Sequence, residues 1–279
     1  MIVFLNGEFV SEEKAVVSVF DRSFQYGDGL FEALRVHGGK PFRWADHLER
    51  LRRGAEFLKI RLPFPEKELE DYARQLIKRN AMPEALLRIS LSRGVGKRGY
   101  SPKGAEQPTM VMTLHPAPDD AGKPPPEWLV ITASPRLPAN EPLAQFKTCN
   151  KLPQILARAE ADTAGADEAL VLNTDGQVVE GASSNLFWIQ GGTVCTPPLA
   201  SGILAGVTRL VVLEICQKIG VPTRETGVTP AQLLQVEGVF MSLSSRGVVE
   251  VVLLDGKKLK RSPVIKDIRA GYEEMVARA

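Results

Sequence analysis

Residues 166–188 read ADEALVLNTDGQVVEGASSNLFW, and this stretch decides the fold. EALVLN is an apolar run of strand length, QVVEG is a second, and NLFWI (185–189) is a third. Thr174-Asp175-Gly176 joins the first two, and Gly191-Gly192 joins NLFWI to TVC (193–195). Each of these joints has the glycine-containing turn that a hairpin needs. Short strands on tight turns therefore predict a sheet built from hairpins.

The flanks add helices and more strands. Upstream lie a strand at 128–133, an irregular Pro-rich loop at 135–145, and a helix near 152–164. Pro153 fits that helix's first turn, where the backbone N–H is not used. Downstream, a helix over 206–219 stops at Gly220, which suits the left-handed residue after a helix end. Strands at 239–243 and 248–254 and a short C-terminal helix complete the chain.

The first hundred residues form a separate group. IVFL, Asn6-Gly7 and EFV read as a hairpin, because both turn residues tolerate positive φ. A helix is predicted over 46–59, with Asp46 as its cap, Glu49 completing a capping box, and Leu48, Leu51, Ala55 and Leu58 at helical spacing. A second helix covers 66–79. Residues 86–92 alternate apolar and polar as a half-buried strand does, and 109–114 form another. PAPDDAGKPPPE (116–127) is the best linker in the chain. The expected division is a small N-terminal α/β domain over 1–117, a linker over 118–127, and a larger domain over 128–279. Hairpins mixed with separate helices indicate an α+β fold rather than a regular βαβ array.

Composition excludes several functions. Hydrophobic residues make up 44% and charged residues 24%, the balance of a folded globular chain. With 35 basic and 33 acidic residues the net charge is +2, so no basic excess points to nucleic acid. Cys149, Cys195 and Cys216 form no CxxC pair, and His37, His47 and His115 stand at no metal-ligand spacing, so no metal site is expected. MIVFLNGEFV lacks a basic n-region and a long apolar run, and no stretch approaches the ~20 apolar residues of a membrane span. A cytoplasmic location and no membrane partner are the expectation. Gly-Val-Gly-Lys-Arg-Gly (94–99) matches the G-x-G-x-x-G fingerprint, but Tyr100-Ser101-Pro102-Lys103-Gly104 reads as loop. Without a helix to receive a pyrophosphate, nucleotide binding there is rejected.

Six segments in order carry a family resemblance: DRSFQYGDGLFEALRV (21–36), DHLERL (46–51), SRGVGKRGYSP (92–102), FKTCNKL (146–152), the opening stretch (166–188) and GILAGVTR (202–209). Together they resemble the class IV aminotransferases, the fold-type IV enzymes of pyridoxal 5′-phosphate (PLP). That family includes branched-chain and D-amino-acid aminotransferases and 4-amino-4-deoxychorismate lyase. The resemblance implies a two-domain fold like D-amino-acid aminotransferase, PLP as cofactor, and a homodimer.

It also implies roles. Lys147 would hold the cofactor aldehyde and, once displaced by substrate, act as general base. Lys151 competes for that role or serves as a substrate-facing charge. Glu180 would sit against the pyridine nitrogen, where a carboxylate keeps the ring protonated as an electron sink; otherwise it is an exposed strand-end glutamate. The helix start at Val207 and Thr208, with Arg50 and Ser244, would bind the phosphate, while Leu204 would pack on the ring. The other reading of Arg50 is an ordinary surface arginine on the 46–59 helix.

The reaction is less clearly marked. The loop from Ser92 to Ser101, Asn150-Lys151-Leu152, Tyr26-Gly27-Asp28-Gly29 and Asn185-Leu186-Phe187-Trp188 are most similar to the lyases. Arg98, with Lys151, would then hold the substrate carboxylates, since guanidinium and ammonium groups suit them. D-amino-acid aminotransferases bind the α-carboxylate with an arginine, a histidine and a tyrosine. Here Arg98 matches, but Tyr100 and Phe31 replace the other two. Glu32-Ala33 departs from the lyases, which often carry a threonine-containing pair there. Aminodeoxychorismate lyase is the first expectation. A transaminase for D-amino acids or branched-chain L-amino acids is the alternative, and a PLP-binding chain without turnover is the remote third.

Overall fold

The computed structural model describes residues 1–118 and 122–278. Of the linker expected at 118–127, residues 119–121 lie outside the described residues. The fold is α+β, and its contacts separate two compact units. One comprises Met1–Pro118 with Phe146–Asn150, and the other Asp119–Gln145 with Lys151–Arg278.

The first unit contains β1 (Ile2–Leu5), β2 (Glu8–Ser11), α1 (Arg22–Tyr26), β3 (Gly29–His37), β4 (Lys40–Pro41), α2 (Trp44–Leu58), α3 (Glu66–Asn80), β5 (Ala85–Ser92) and β6 (Thr109–Pro116). Its sheet runs β2-β1-β6-β5-β3-β4. The β1–β2 turn has Asn6 at φ 50° and Gly7 at φ 100°, as the Asn-Gly pair requires. Leu30, Leu34, Leu87 and Ile89 from the sheet pack with Leu48 and Leu51 of α2 and Leu69 and Leu76 of α3.

Helix α2 does not begin as its sequence reads. The preceding residue is Arg43, in the left-handed region at φ 55°, and no side chain caps the helix. Asp46 lies in the first turn and accepts from Arg43 Nη1 at 3.3 Å, where its charge still favours the positive helix end. Glu49 pairs with Arg52 rather than closing a capping box.

The segment around Lys147, expected in the C-terminal domain, groups with the first unit. Phe31 N donates to Lys147 O at 2.8 Å and Cys149 N donates to Gly29 O at 2.9 Å. Phe146 is buried, its ring 5.0 Å from that of Phe57. Two backbone bonds to β3 and one aromatic anchor fix this short stretch.

The second unit contains β7 (Glu127–Leu137), α4 (Leu152–Thr163), β8 (Glu168–Asn173), β9 (Val178–Gly181), β10 (Asn185–Gln190), β11 (Thr193–Thr196), α5 (Val207–Lys218), β12 (Thr223–Glu225), α6 (Pro230–Leu233), β13 (Gly238–Leu243), β14 (Gly247–Leu254), β15 (Lys257–Lys258) and α7 (Pro263–Ala277). The sheet order is β12-β11-β10-β13-β14-β7-β8-β9, and β9 also pairs with β10. The path from β10 round to β9 thus closes on itself, which covers the β9 edge and leaves β12 at the other end. The closing pair is Asn185 opposite Glu180. Hairpins dominate as expected, but β7 and β8 are parallel and joined through α4, and β14 also runs parallel to β7. Strands β8 and β9 are buried along their whole length, which explains why they read as continuous apolar runs.

Candidate active site

In the second unit the closing strand pair supplies the first polar group. Glu180 is buried, and its Oε2 accepts from Leu204 N at 2.9 Å and from Asn185 Nδ2 at 3.5 Å. Asn185 Nδ2 also donates to Leu204 O at 3.0 Å. One amide therefore ties the β10 strand, the Glu180 carboxylate and the 204 backbone together. Beneath them lies Glu168, fully buried, whose Oε2 accepts from Ser183 Oγ at 2.7 Å and Ser184 Oγ at 2.9 Å. Glu168 thus sets the β9–β10 turn, a role that an apolar strand context hid from the sequence reading.

Next to this carboxylate is the start of α5. Gly206 precedes it with no side-chain cap, which leaves the first-turn N–H groups of Val207 and Thr208 without a side-chain acceptor. A Cβ on Gly206 would lie 1.9 Å from Asn185 Oδ1, so only glycine allows this approach. Thr208 Oγ1 and Ser244 Oγ are 3.4 Å apart. A helix N-terminus with two hydroxyls beside it is a donor set for a phosphate, and a buried carboxylate suits a protonated ring nitrogen. The chemistry of these donors fits the cofactor that the resemblance implies.

The first unit holds the lysine. Lys147 Nζ lies 4.7 Å from the centre of the Phe31 ring, and the Arg88 guanidinium lies 4.0 Å from the same centre. Arg88 Nε donates to Ser90 Oγ at 3.3 Å. No carboxylate pairs with Arg88 among the described residues, and burial pushes its guanidinium below the usual arginine range. Arg88 was not singled out from sequence, because an outward residue of a half-buried strand reads as solvated.

On the opposite face of β3 sits a charged cluster. Glu32 Oε1 accepts from Arg50 Nε at 2.8 Å, and Oε2 accepts from Arg50 Nη2 at 2.6 Å. His47 Nδ1 lies 2.7 Å from the same Oε2. All three residues are buried. Burial alone would raise the Glu32 carboxyl, but Arg50 and His47 outweigh it and bring it down to about 2. Burial also lowers the His47 imidazole, with Arg50 and Lys147 adding to the effect against Glu32. A neutral His47 therefore donates from Nδ1 to Glu32. Arg50 is not an ordinary surface arginine.

The remaining candidates are Arg98, Tyr100 and Lys151. Tyr100 is 88% exposed and Arg98 is also exposed. Their loop is held from behind by Arg22, which donates to the carbonyls of Gly99, Tyr100 and Ser101 at 2.9, 3.1 and 3.2 Å. No helix follows Gly99, so the G-x-G-x-x-G match lacks its phosphate-binding partner. Lys151 is half-buried at the start of α4 in the second unit. Among the described residues no cluster could hold a metal ion, and no helix is long and apolar enough to cross a membrane.

Known proteins resemble this chain over nearly its whole length. The family described as amino-transferase class IV matches residues 29–254. The chain is 33% identical over 95% of its length, and 91% of the other's, to the "Putative branched-chain-amino-acid aminotransferase" of Methanocaldococcus jannaschii. It is 31% identical to the D-alanine aminotransferase of Staphylococcus aureus, covering 98% of this chain and 97% of that one. Among solved structures, the branched-chain aminotransferase of the thermophilic archaeon Thermoproteus uzoniensis, bound to norvaline, superposes with a TM-score of 0.92. It shares 28% identity over 100% of this chain and 95% of that chain. A "Putative 4-amino-4-deoxychorismate lyase" from Legionella pneumophila gives a TM-score of 0.87 at 27% identity, covering 95% of this chain and 98% of that one.

Proposed function

The chain belongs to the class IV aminotransferases, PLP-dependent enzymes, and from that premise we propose that it is a transaminase acting on amino acids through Lys147. The observation that carries this reading is Arg88. A half-buried guanidinium without a carboxylate partner, on the same aromatic ring as the Lys147 amine, is a ready site for the carboxylate of an amino acid or its 2-oxo acid. Glu32 weighs in the same direction. It stands where the lyases often carry a threonine-containing pair, and a buried ion pair with Arg50 depends on it. The named relatives at 33% and 31% identity are aminotransferases.

In this reading the cofactor supplies an electron sink for the carbon that loses its proton. Lys147 would hold the aldehyde covalently and, once freed by the incoming substrate amine, would move the α-proton with its own amine. Glu180, braced by Asn185 and the Leu204 amide, keeps the ring nitrogen protonated. Val207, Thr208 and Ser244 would take the phosphate together with Arg50, whose guanidinium Glu32 positions, and Leu204 would pack on the ring. Phe31 and Arg88 orient substrate. Arg98, Tyr100 and Lys151 face it in the family pattern. A homodimer is part of the same proposal, supported by the exposed apolar residues Val16, Val19, Phe20 and Phe24.

Aminodeoxychorismate lyase is the second reading. It is favoured by the loop from Ser92 to Ser101 and by the likeness to the Legionella protein. One experiment separates the two. The PLP-loaded protein is given D-alanine, D-glutamate, L-glutamate or L-leucine with a 2-oxo acid acceptor, and separately 4-amino-4-deoxychorismate. A keto acid from one donor is expected, and that donor names the branch. No keto acid from any donor, with 4-aminobenzoate formed, replaces the transaminase by the lyase.

A further inference from the structure

A cleft of about 610 Å³ opens in the first unit between the C-terminal end of α2 and residues 101–108. Four cations line it, Lys59, Arg61, Arg93 and Lys103, against one carboxylate, Glu106. Lys59, Arg61 and Lys103 have no carboxylate partner among the described residues. Arg93 occupies the floor, buried, with its Nη1 and Nη2 donating to the carbonyls of Lys59 and Leu58 at 3.1 and 2.8 Å. Those bonds cover the negative end of α2, which would otherwise oppose an anion. Ile60 and Ala105 give the wall an apolar part. Uncompensated like charges around a concave wall repel each other and focus a positive potential into it. A ligand with several negative charges removes that repulsion.

The cleft is wired to the loop of Arg98 and Tyr100. Arg93 Nε donates to Asp28 Oδ2 at 2.8 Å, and Arg22 Nε donates to the same oxygen at 2.8 Å. Burial raises the Asp28 carboxyl, but Arg93 and Arg22 outweigh it and hold it below the usual carboxylate range. Arg22 is 3% exposed, and its other donors hold the carbonyls of residues 99–101. An anion beside Arg93 competes with Asp28 for that guanidinium and leaves more of the carboxylate to Arg22.

We propose that this cleft binds a small metabolite carrying several negative charges, of phosphate or carboxylate type, and that its occupation firms the 98–101 loop through Arg93, Asp28 and Arg22. Binding at the cleft is independent of whether the enzyme is a transaminase or a lyase. By linkage, whatever the loop gains from the anion, the anion gains from substrate closing the loop.

The test is calorimetric titration of the PLP-loaded protein with pyrophosphate and with citrate, which separates the phosphate and carboxylate arms. It is repeated on the Arg61→Ala/Lys103→Ala double variant and on Arg88→Ala. Each charge-assisted hydrogen bond contributes about tenfold in affinity, so saturable binding that weakens at least tenfold in the double variant and persists in Arg88→Ala is expected. Tryptic cleavage after Lys97 and Arg98, followed by peptide mass, should slow severalfold at saturation. Absence of saturable binding by both anions overturns the proposal, as does binding indifferent to the double variant. Binding lost in Arg88→Ala would place the anion in the catalytic pocket instead. Cleavage unaltered at saturation would overturn the link to the loop.

Discussion

Replacing Glu32 by Gln tests the buried cluster on β3 quantitatively. The carboxylate accepts three hydrogen bonds, two from Arg50 and one from His47. A glutamine of the same size offers one acceptor oxygen, and its NH₂ must face a donor. The larger effect is electrostatic, because Arg50 is left buried without its counter-charge, which costs on the order of 3–5 kcal/mol. The wild-type pH dependence gives an independent figure. Glu32 falls from an ordinary 4.5 to about 2, which at roughly 1.4 kcal/mol per pH unit is about 3 kcal/mol. A carboxyl held low in the folded state stabilises fully above its unfolded value. That contribution is lost as pH falls from 4.5 toward 2. Urea unfolding of wild type and Glu32→Gln between pH 7 and pH 3 reads both effects. The variant should be less stable by about 3–5 kcal/mol at pH 7, and the gap should narrow by roughly 2 kcal/mol between pH 5 and pH 3. A gap under about 1 kcal/mol at pH 7, or one that does not change with pH, would refute the assignment of Glu32 as the ionised centre of the cluster.

Arg88→Ala should raise the KM for the amino acid more than it lowers kcat, since the guanidinium is assigned to binding; an unchanged KM in steady-state kinetics would remove it from the substrate site. Gly206→Ala forces a methyl into Asn185 Oδ1 at 1.9 Å. It should weaken cofactor retention on dialysis through the displaced helix start, and undiminished retention would count against that start as the phosphate site. Glu180→Gln should cut turnover severely while the cofactor still binds, and near-normal turnover would mean that another group protonates the ring.

Much of this architecture was legible from local chemistry. The Asn6-Gly7 turn, α3, β5 and the strands from β8 to β11 follow directly from turn residues and apolar spacing. Strand β3 was harder. Leu30, Leu34 and Val36 face inward on it, but Glu32 lies on the same buried face and masks the alternation. That face becomes apolar enough to bury only when Arg50, on the inner side of α2, neutralises the glutamate and His47 hydrogen-bonds it. The α2 start was misplaced for a related reason, because Arg43 in a left-handed conformation begins the helix before any capping side chain does.

The candidate site divides in the same way. Motif resemblance supplied Lys147 and Glu180, yet nothing local indicates that residues 146–150 are pinned to β3, because that pairing is made by backbone groups far apart in sequence. Arg88 went unnoticed because the outward face of β5 reads as solvent-facing. Only the tertiary structure shows that Phe31 and Lys147 lie there. The loop of Gly94 to Gly99, rejected as a nucleotide site, has its own structural explanation. A Cβ on Gly94 would lie 1.8 Å from Gln107 O, and one on Gly96 would lie 2.8 Å from Arg22 Cδ. Gly94 and Gly96 permit close packing against Gln107 and Arg22 rather than a phosphate.

Lys147 is the residue proposed to carry the cofactor. Borohydride reduction of the PLP-loaded protein, followed by trypsin digestion and peptide mass mapping, tests it most directly. The reduced cofactor is expected on a peptide that runs through Lys147 without cleavage and ends at Lys151. Cofactor mass on Lys151, with normal cleavage at Lys147, would contradict it.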